Sequence, residues 1–395
     1  MSKIPLVHPL LAACALAASA GTPLPTLDGK PPLVVAHRGA GGYLPEETYE
    51  AYVCAIDLGA DVIEPDLIMT KDHVLIARHD PNLAISTNVA SLPRFADRKR
   101  TRNVDGEIQE GWFSADFTLA EIRTLGGIVT DPERSKAMDG KCRLVTFQEI
   151  IDLAKSRSTA KRKIWIYPES KNPTYNRELG LPLEDSIVAT LQRAGWNRRD
   201  APVFVQSFEP SSLKYMRAHG LKTQVIQLIG ANDIDLRTGK LIYKVPDDRP
   251  YDWTRAGDTT RTFEAMTTPA GLAEIATYAD GIGPWKLFLI PLKAKLDSTG
   301  NPVDLNHDGK ISDADGFQMA PTTLVADAHK AGLAVHPYTF RNEKRRIPAD
   351  FHGDPKAELK SFFRIGVDAV FTDFADTAIS ARREWLAEMG VRTPR

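Results

Sequence analysis

Eight short runs rich in β-branched residues alternate with longer amphipathic segments along most of this chain. The candidate strands lie at residues 33–36, 62–69, 164–169, 203–208, 223–229, 280–285, 333–340 and 368–374. The segments between them have helical periodicity, and several end on a glycine, which is common at helix C-termini. Eight βα units predict an α/β chain folded as a (β/α)8 TIM barrel, with a doubly wound open sheet as the rival arrangement.

Polar residues and one tryptophan occur near the ends of the predicted strands. They are His37, Glu64, Asp66, Glu169, Gln206, Trp285, Tyr338, Arg341 and Asp373. In a barrel the carboxyl ends of all strands open onto one face, and the chemistry of the fold is located there. This pattern favours the barrel over the open sheet, and it predicts a functional site at the mouth.

Two of these residues, Glu64 and Asp66, are separated only by Pro65. Residues two apart on a strand point to the same side, so both carboxylates should face the mouth and repel each other unless a proton or a cation lies between them. Glu169 at the next strand end is a candidate third ligand. Oxygen ligands favour Ca²⁺ or Mg²⁺ over zinc. Pro65 lacks a backbone donor, so we expect a bulge or a strand end there.

Three connections are longer than ordinary βα loops. The first spans residues 80–145, directly after the second strand region, and the others span 231–268 and 286–320. Such insertions at the catalytic side of a barrel usually shape specificity. The predicted barrel domain, with its insertions, covers residues 33–390.

The third insertion contains "DLNHDGKISDAD" at residues 304–315, which has the spacing of an EF-hand calcium loop. The predicted ligands are Asp304, Asn306, Asp308, the carbonyl of Lys310, Ser312 and Asp315. Position twelve is Asp where EF-hands usually have Glu, and no flanking helices are evident. We expect a structural Ca²⁺ site, and a plain polar turn is the alternative.

The beginning of the chain has the pattern of an export signal. Lys3 precedes an apolar segment and the small residues 18–20, which fit a signal peptide spanning residues 1–20. The letters "LAAC" ending at Cys14 also fit a bacterial lipoprotein box, so cleavage and lipid anchoring both stay open. Either route predicts a periplasmic or secreted protein. The remaining cysteines, Cys54 and Cys142, could form a disulfide or stay as thiols.

Composition excludes some classes of partner. Fifty basic and 51 acidic residues leave a net charge of −1, so nothing global favours nucleic acid or an anionic membrane surface. After the leader, no run is long and apolar enough for a transmembrane helix. Partners must therefore be inferred from local features of the sequence, and the oligomeric state stays open.

Several motifs together resemble the glycerophosphodiester phosphodiesterase family. They are "HRG" from residue 37 followed by "PEET", "GADVIEPDL" from 59, "HD" at 79, "PES" with a lysine at 171, "QSFEP" from 206, "HPYTFR" from 336 and "GVDAVFTDF" from 366. The resemblance covers about residues 33–380 and is strongest to the exported bacterial branch. It implies a TIM barrel that hydrolyses glycerophosphodiesters to sn-glycerol 3-phosphate and an alcohol with the help of a divalent ion.

The resemblance also implies roles for individual residues. His37 and His79 would be the acid/base pair. Glu64, Asp66 and Glu169 would hold the metal, and Arg38 and Lys171 would bind the phosphate. Phe208 and Trp285 are candidates for lining the substrate pocket, or else for simple packing. We expect glycines 39, 41 and 42 to let the loop after His37 pass close to phosphate and metal.

Two other functions stay open at this stage. One is a phospholipase D-like or sphingomyelinase D-like barrel that acts on intact lipids. The other is a surface binding protein that keeps the scaffold without turnover, although the complete set of catalytic residue types argues against it.

Overall fold

The computed structural model describes residues 23–391, and the eight predicted strand regions form a closed barrel within them. In chain order the barrel strands are Leu33–His37, Val62–Glu64 with Asp66–Met69, Trp165–Ile166 with Glu169–Ser170, Phe204–Ser207, Gln224–Ile229, Gly281–Pro284, Ala334–Val335 and Ala369–Thr372. We number them one to eight. The second strand is interrupted at Pro65, as its missing backbone donor predicts.

Neighbouring barrel strands are parallel, and the last pairs with the first. Strand one pairs with strand eight from Leu33 onward. Strands seven and eight join where the Phe340 amide donates to the Phe371 carbonyl, 2.8 Å away. The predicted (β/α)8 barrel is therefore confirmed, and the doubly wound sheet is wrong, because an open sheet would leave these two edges apart.

A helix follows each barrel strand and packs on its outer side. In order, these helices are Tyr49–Asp57, Phe147–Arg157, Leu183–Arg193, Pro210–Ala218, Pro269–Ile275, Leu324–Lys330, Pro355–Arg364 and Ala375–Glu388. The main hydrophobic core lies between these helices and the strands. Threonine caps fix the first two starts: Thr48 accepts from the Ala51 amide and Thr146 from the Glu149 amide.

The inside of the barrel is filled by a separate, smaller apolar cluster. It includes Val35, Val62, Tyr167, Phe204 and Phe371. Side chains on a strand alternate between its two sides, so the residue two positions later returns to the interior. Those residues are His37, Glu64, Glu169, Gln206 and Asp373. The packed interior thus ends in a polar layer at the carboxyl face of the barrel.

The segment after strand two folds as a small unit against the barrel mouth. Strand Leu75–Ala77 runs back along strand two, and the chain then forms the hairpin Arg100–Val104 with Glu107–Gly111 and the pair Gly126–Gly127 with Cys142–Arg143. The other elements here are the 3-10 helices Asn88–Ser91, Pro93–Arg98 and Ser114–Asp116, and the helix Leu119–Ile122. Buried Val89, Phe95 and Phe117 contribute to a core of its own.

The other two long connections pack on each other. The segment from 231 to 268 contains the hairpin Asp233–Asp235 with Lys240–Ile242, the helix Tyr251–Arg255 and the 3-10 helix Phe263–Thr267. The segment from 286 to 320 contains Lys286–Phe288, the strand pair Leu292–Ala294 with Gly316–Gln318, and Asp313–Asp315. The short helices Pro173–Glu178, Lys344–Arg346 and Ala349–Phe351 complete the described elements.

The predicted calcium loop, 304–315, is compact and folds around its own acidic side chains. Asp304 Oδ2 accepts from the Gly309 amide at 2.9 Å. The Asp315 carboxylate accepts from the amides of Leu305 and Ser312, at 2.7 and 2.9 Å. Asp304 Oδ1 is buried without a hydrogen-bond partner. The acids of this loop do not converge on one point in the way that three carboxylates at the barrel mouth do.

Two glycines after strand one are needed for close packing. Gly39 has a φ of +85°, and a Cβ there would lie 2.9 Å from the Ala51 backbone carbon. A Cβ at Gly42 would lie 2.4 Å from the ring of Phe374. Gly41 has no comparably close neighbour. We expected these glycines to allow approach to phosphate and metal. At positions 39 and 42 the structure instead shows that a side chain would collide with protein atoms.

The export signal predicted at residues 1–20, with Cys14, lies outside the described residues. Within residues 23–391, no helix combines the length and the apolarity that crossing a bilayer requires. Cys54 and Cys142 are both free thiols, so the structure contains the thiol alternative and not the disulfide.

Candidate active site

Three carboxylates come together at the mouth of the barrel. Within residues 23–391, the acidic groups whose oxygens lie within 4.8 Å of one another in a set of three are Glu47, Glu64 and Asp66. All three are buried. Glu64 is held by the Gln206 amide at 2.9 Å and by the backbone amide of Arg38 at 2.8 Å. These contacts fix the Glu64 carboxylate toward the cavity that it lines.

Two cations lie beside the carboxylates and offset their charge only in part. Arg38 Nε lies 3.0 Å from Asp66 Oδ2, and Lys171 Nζ lies 2.9 Å from Glu169 Oε1. The Arg38 contact lacks hydrogen-bond geometry, so Asp66 Oδ2 is a buried carboxylate oxygen without a hydrogen-bond partner. Such an oxygen is costly unless a further positive charge meets it. The donor set, all oxygen and partly unpartnered, therefore fits a hard divalent ion.

The pKa values show the same imbalance of charge. Burial raises the pKa of Glu64 well above its usual range, and repulsion from Asp66 adds to this effect. Burial also raises the pKa of Glu169, to about 8, against the opposing charge of Lys171. Burial would raise the pKa of Asp66 too, but Lys171 and Arg38 hold it below its usual value. A site that resists full ionisation of its acids gains from an added cation.

Glu47 was not among the predicted ligands, and its surroundings differ from those of Glu169. Glu47 Oε1 accepts from the Asp66 amide at 2.9 Å, and its other oxygen accepts from the Tyr52 hydroxyl. Burial raises the pKa of Glu47 well above its usual range. Glu47 does not line the cavity, whereas Glu169 does, and Glu169 is the strand neighbour of Asp66. Glu47 therefore orients the backbone at Asp66, and Glu169 faces the open space.

The two predicted histidines flank this space. His37 Nδ1 lies 2.7 Å from Asp373 Oδ1, which leaves Nε2 as the ring nitrogen without that partner. Burial lowers the pKa of His37, and Arg38 lowers it further, while Asp373 opposes both. His79 Nδ1 lies 3.2 Å from Asp80 Oδ2, and its side chain is about one-third exposed, at 31%. Each imidazole is thus oriented by a carboxylate.

Asp373 is itself held by two arginines. Its Oδ2 accepts from Arg134 Nη2 at 2.5 Å and from Arg341 Nε at 2.8 Å. Arg134 comes from the insertion after strand two, and it also donates to Glu343 at 2.6 Å and to the Gly41 carbonyl at 3.0 Å. The insertion therefore supplies a cation, Arg134, that contacts the Asp373 partner of His37.

Two cavities meet at the mouth. The inner one, of about 200 Å³, is lined by the two histidines, Arg38, Glu64, Glu169, Lys171, Phe208 and Trp285 among others. The outer one, of about 330 Å³, shares His79, Glu169, Lys171, Phe208 and Tyr338 with it. Phe208 and Trp285 thus line the site, as the sequence suggested, and Lys171 Nζ lies 5.6 Å from the centre of the Phe208 ring.

Most of these residues were predicted from the sequence as site residues, whereas Glu47 and Arg134 were not. Asp373 and Arg341 were recognised only as strand-end polar residues, because their pairing with His37 depends on barrel closure. Glu47 carried a local signal, since it lies in the "PEET" motif two residues before the first helix begins at Tyr49. Arg134 carried no signal, because the insertion has no periodicity that would place its side chain.

The chain matches the model of the glycerophosphoryl diester phosphodiesterase family over residues 37–377. A glycerophosphodiester phosphodiesterase of Arabidopsis thaliana is 38% identical over 356 residues, which cover 87% of this chain and 84% of that protein. One from Haemophilus influenzae is 29% identical over 370 residues, or 88% of each chain.

Solved structures share the fold at lower identity. A protein from Silicibacter pomeroyi superimposes with a TM-score of 0.56 at 19% identity, over 93% of this chain and 99% of that one. An Oleispira antarctica phosphodiesterase, solved in complex with the product sn-glycerol-3-phosphate, gives 0.53 at 16% identity, over 90% and 98%. These similarities support the barrel.

The contact between His37 and Asp373 leads to a test by titration. Asp373→Asn should lower the pKa of His37 further, because it removes the carboxylate that favours the imidazolium and leaves Arg38, Arg134 and Arg341 unbalanced. The pKa is measured from the pH dependence of the imidazole NMR signals. Asp376→Asn, which changes a carboxylate bound to the Tyr43 hydroxyl instead, should leave it unchanged. A His37 pKa that stays the same or rises in Asp373→Asn would contradict the contact.

Proposed function

The chain belongs to the glycerophosphoryl diester phosphodiesterase family, and from this premise we propose that it hydrolyses glycerophosphodiesters to sn-glycerol 3-phosphate and an alcohol. The observation that carries the proposal is the combination of groups around one cavity of about 200 Å³. These groups are a cluster of carboxylates suited to a metal ion, two cationic side chains, and two histidines that are each oriented by a carboxylate. Relatives with that activity in their names cover most of the chain.

The size and lining of the two cavities favour a soluble substrate over an intact lipid. Both are lined largely by charged and polar side chains, among which aromatic rings such as Phe208 and Trp285 are interspersed. A long acyl chain would need a continuous apolar channel. Release of glycerol 3-phosphate from glycerophosphocholine, compared with hydrolysis of micellar phospholipid, separates the two activities. Absence of both would leave the binding-protein alternative.

In this proposal Glu64, Asp66 and Glu169 hold a divalent ion, with Ca²⁺ or Mg²⁺ favoured by the oxygen donors. When bound, such an ion neutralises charge on the phosphate and in the transition state. Arg38 and Lys171 line the same cavity and add positive charge toward the phosphate oxygens. Glu47 supports the ion only indirectly, through the Asp66 amide.

The two histidines divide the proton transfers. His37, with Nδ1 bound to Asp373, takes a proton through Nε2 from the attacking hydroxyl, which belongs either to glycerol or to water. His79 borders both cavities, so it lies between the phosphate site and the space left for the departing alcohol. That position suits the general acid. His79 therefore donates the proton to the leaving oxygen.

The third-ligand assignment can be tested by comparing two glutamates. Glu169→Gln should weaken metal binding by roughly a hundredfold or more, whereas Glu47→Gln should weaken it less than about tenfold, because glutamine still accepts from the Asp66 amide. Affinity is measured by calorimetry with Ca²⁺ and with Mg²⁺, and Glu110→Gln on the exposed hairpin is the control. A larger loss in Glu47→Gln than in Glu169→Gln would exchange the two roles.

The acid and base assignments predict different responses to the leaving group. His37→Ala and His79→Ala should each lower kcat on glycerophosphocholine by roughly 10²–10⁴-fold. A nitrophenyl ester of glycerol phosphate needs no proton on departure, so it should restore turnover in His79→Ala and not in His37→Ala. Rescue of His37→Ala alone would reverse the roles, and rescue of neither would argue against acid/base catalysis by this pair.

We further propose that the loop 304–315 binds a structural Ca²⁺ through the ligands predicted from its sequence. Support comes from the buried, unpartnered Asp304 Oδ1 and from the contact of Asp304 with the Gly309 amide.

The pattern at residues 1–20 supports export of the protein to the periplasm or beyond.

Calcium bound only by the folded loop should stabilise the protein by RT ln(1 + [L]/Kd), or about 2.7 kcal/mol at a hundredfold excess over Kd. The active-site ion is removed from this measurement by working in a Glu64→Gln, Asp66→Asn background. Adding Asp304→Ala and Asp308→Ala should abolish most of the remaining calcium-dependent rise in Tm. Asp297→Ala, in a neighbouring turn, should preserve that rise. An equal calcium response with and without the loop aspartates would identify a plain polar turn.

A further inference from the structure

The first insertion reaches the loop after strand seven and is joined to it by ion pairs. Segment 131–134 of the insertion has the sequence Asp-Pro-Glu-Arg, and it meets segment 341–345 of that loop. Arg134 Nε lies 2.6 Å from Glu343 Oε1. In the opposite sense, Arg345 pairs with both acids of segment 131–134, each at 2.5 Å. Each segment therefore supplies acidic and basic side chains that meet their opposites on the other.

Arg134 also contacts both parts of the barrel that carry the His37–Asp373 pair. Its Nη2 donates to Asp373 Oδ2 at 2.5 Å, directly after strand eight, and its Nη1 donates to the Gly41 carbonyl at 3.0 Å. Gly41 lies in the loop that follows His37 on strand one. With Glu343, this guanidinium serves three acceptors from three segments, which its planar array of N–H groups allows and a lysine ammonium could not reproduce.

These contacts act on the side chain of Asp373, because its backbone is held by another bond. The Gly42 amide donates to the Asp373 carbonyl at 3.0 Å. Asp373 Oδ1 lies 2.7 Å from His37 Nδ1, while Oδ2 accepts from Arg134 and, at 2.8 Å, from Arg341. The terminal torsion of an aspartate has no sharp minimum of its own. The donors at Oδ2 therefore determine where Oδ1 lies, and Oδ1 orients the His37 ring.

The two arginines at Oδ2 differ in their surroundings. The Arg341 side chain is 28% exposed and lines the catalytic cavity. The Arg134 side chain is 8% exposed, and in the described chain it belongs to the lining of neither mouth cavity. Its guanidinium carbon also lies 5.4 Å from the centre of the Phe374 ring, which adds a cation–π contact. Arg134 is thus fixed by protein groups on several sides and is remote from the substrate.

We propose that Arg134 is a positioning residue of the active site, which fixes the Asp373 carboxylate so that the His37 ring presents Nε2 to the reacting hydroxyl. This inference rests on the proposed phosphodiesterase function and gives the first insertion a part in the reaction. Glu343 contributes by holding Arg134. Arg345 fastens the same two segments, but in the residues described it forms no ion pair or hydrogen bond with His37 or Asp373.

The test compares two arginines that join the same two segments. Arg134→Ala should lower kcat on glycerophosphocholine by about 10- to 100-fold, because small displacements of a catalytic group have effects of this size. Its KM should stay within about threefold of the wild-type value, as expected for a residue that does not bind the substrate. Arg345→Ala removes two partly exposed ion pairs and should lower Tm, but it should change kcat by less than about twofold.

Chemical rescue separates positioning from a general effect on the fold. Guanidinium ion at millimolar concentration should restore part of the lost kcat in Arg134→Ala, because it can occupy the vacated contacts with Asp373. Sodium chloride at the same concentration should restore none. Arg134→Lys keeps the charge but cannot serve all three acceptors, so its kcat should lie between those of Arg134→Ala and the wild type.

A further variant guards the test against unfolding. Arg134→Ala leaves the Glu343 carboxylate without its partner, and adding Glu343→Gln removes that unpaired charge. The double variant should regain Tm and keep the low kcat. A wild-type kcat in Arg134→Ala, an equal loss in Arg345→Ala, or recovery of kcat together with Tm in the double variant would overturn the positioning role alone. Absence of turnover in the wild type would overturn the phosphodiesterase proposal together with it.

Discussion

Alternation of side chains along closed parallel strands determines where the chemistry of this protein is located. Val35, Val62, Tyr167, Phe204 and Phe371 pack the inside of the barrel, and the residue two positions after each is polar and reaches the mouth. Because all eight strands run in one direction, their polar ends share one face. The apolar layer excludes water from below, so the charges above it interact more strongly than they would on an open surface.

The charged side chains at the mouth form two groups. In one group the negative charge is neutralised by neighbouring cations, and in the other it is not. Asp373 is matched by His37, Arg134 and Arg341, and these partners hold its pKa well below the usual range. Glu64 and Glu169 are matched incompletely, and their pKa values are raised. The first group fixes a ring in place, and the second remains receptive to a cation. The site thus contains a rigid part, around Asp373, and a part with excess negative charge, around Glu64 and Glu169.

The features that were predicted from the sequence are those that depend on residues close together in the chain. Strand periodicity gave the barrel, and the spacing of Glu64 and Asp66 predicted a shared direction, which the structure confirms. Glu47 was missed because its role arises from one backbone contact with Asp66, which no spacing reveals. Arg134 was missed because it reaches Asp373 across 239 positions of the chain, from an irregular insertion. The glycines of the loop after His37 were predicted to allow approach to phosphate and metal, but the close neighbours of Gly39 and Gly42 are Ala51 and Phe374.

The first insertion contributes residues to two parts of the barrel mouth. Arg134 extends from the first insertion to Asp373, whereas Asp105 extends from the same insertion into the outer cavity. The Asp105 turn is supported by its own hairpin pairing and by Val104 packing near Tyr175, and neither support involves the residues around Glu64. A change at the turn can therefore alter the lining of the outer cavity while the carboxylates around Glu64 keep their geometry. The contact with Asp373 and the lining of the outer cavity therefore depend on separate parts of the same insertion.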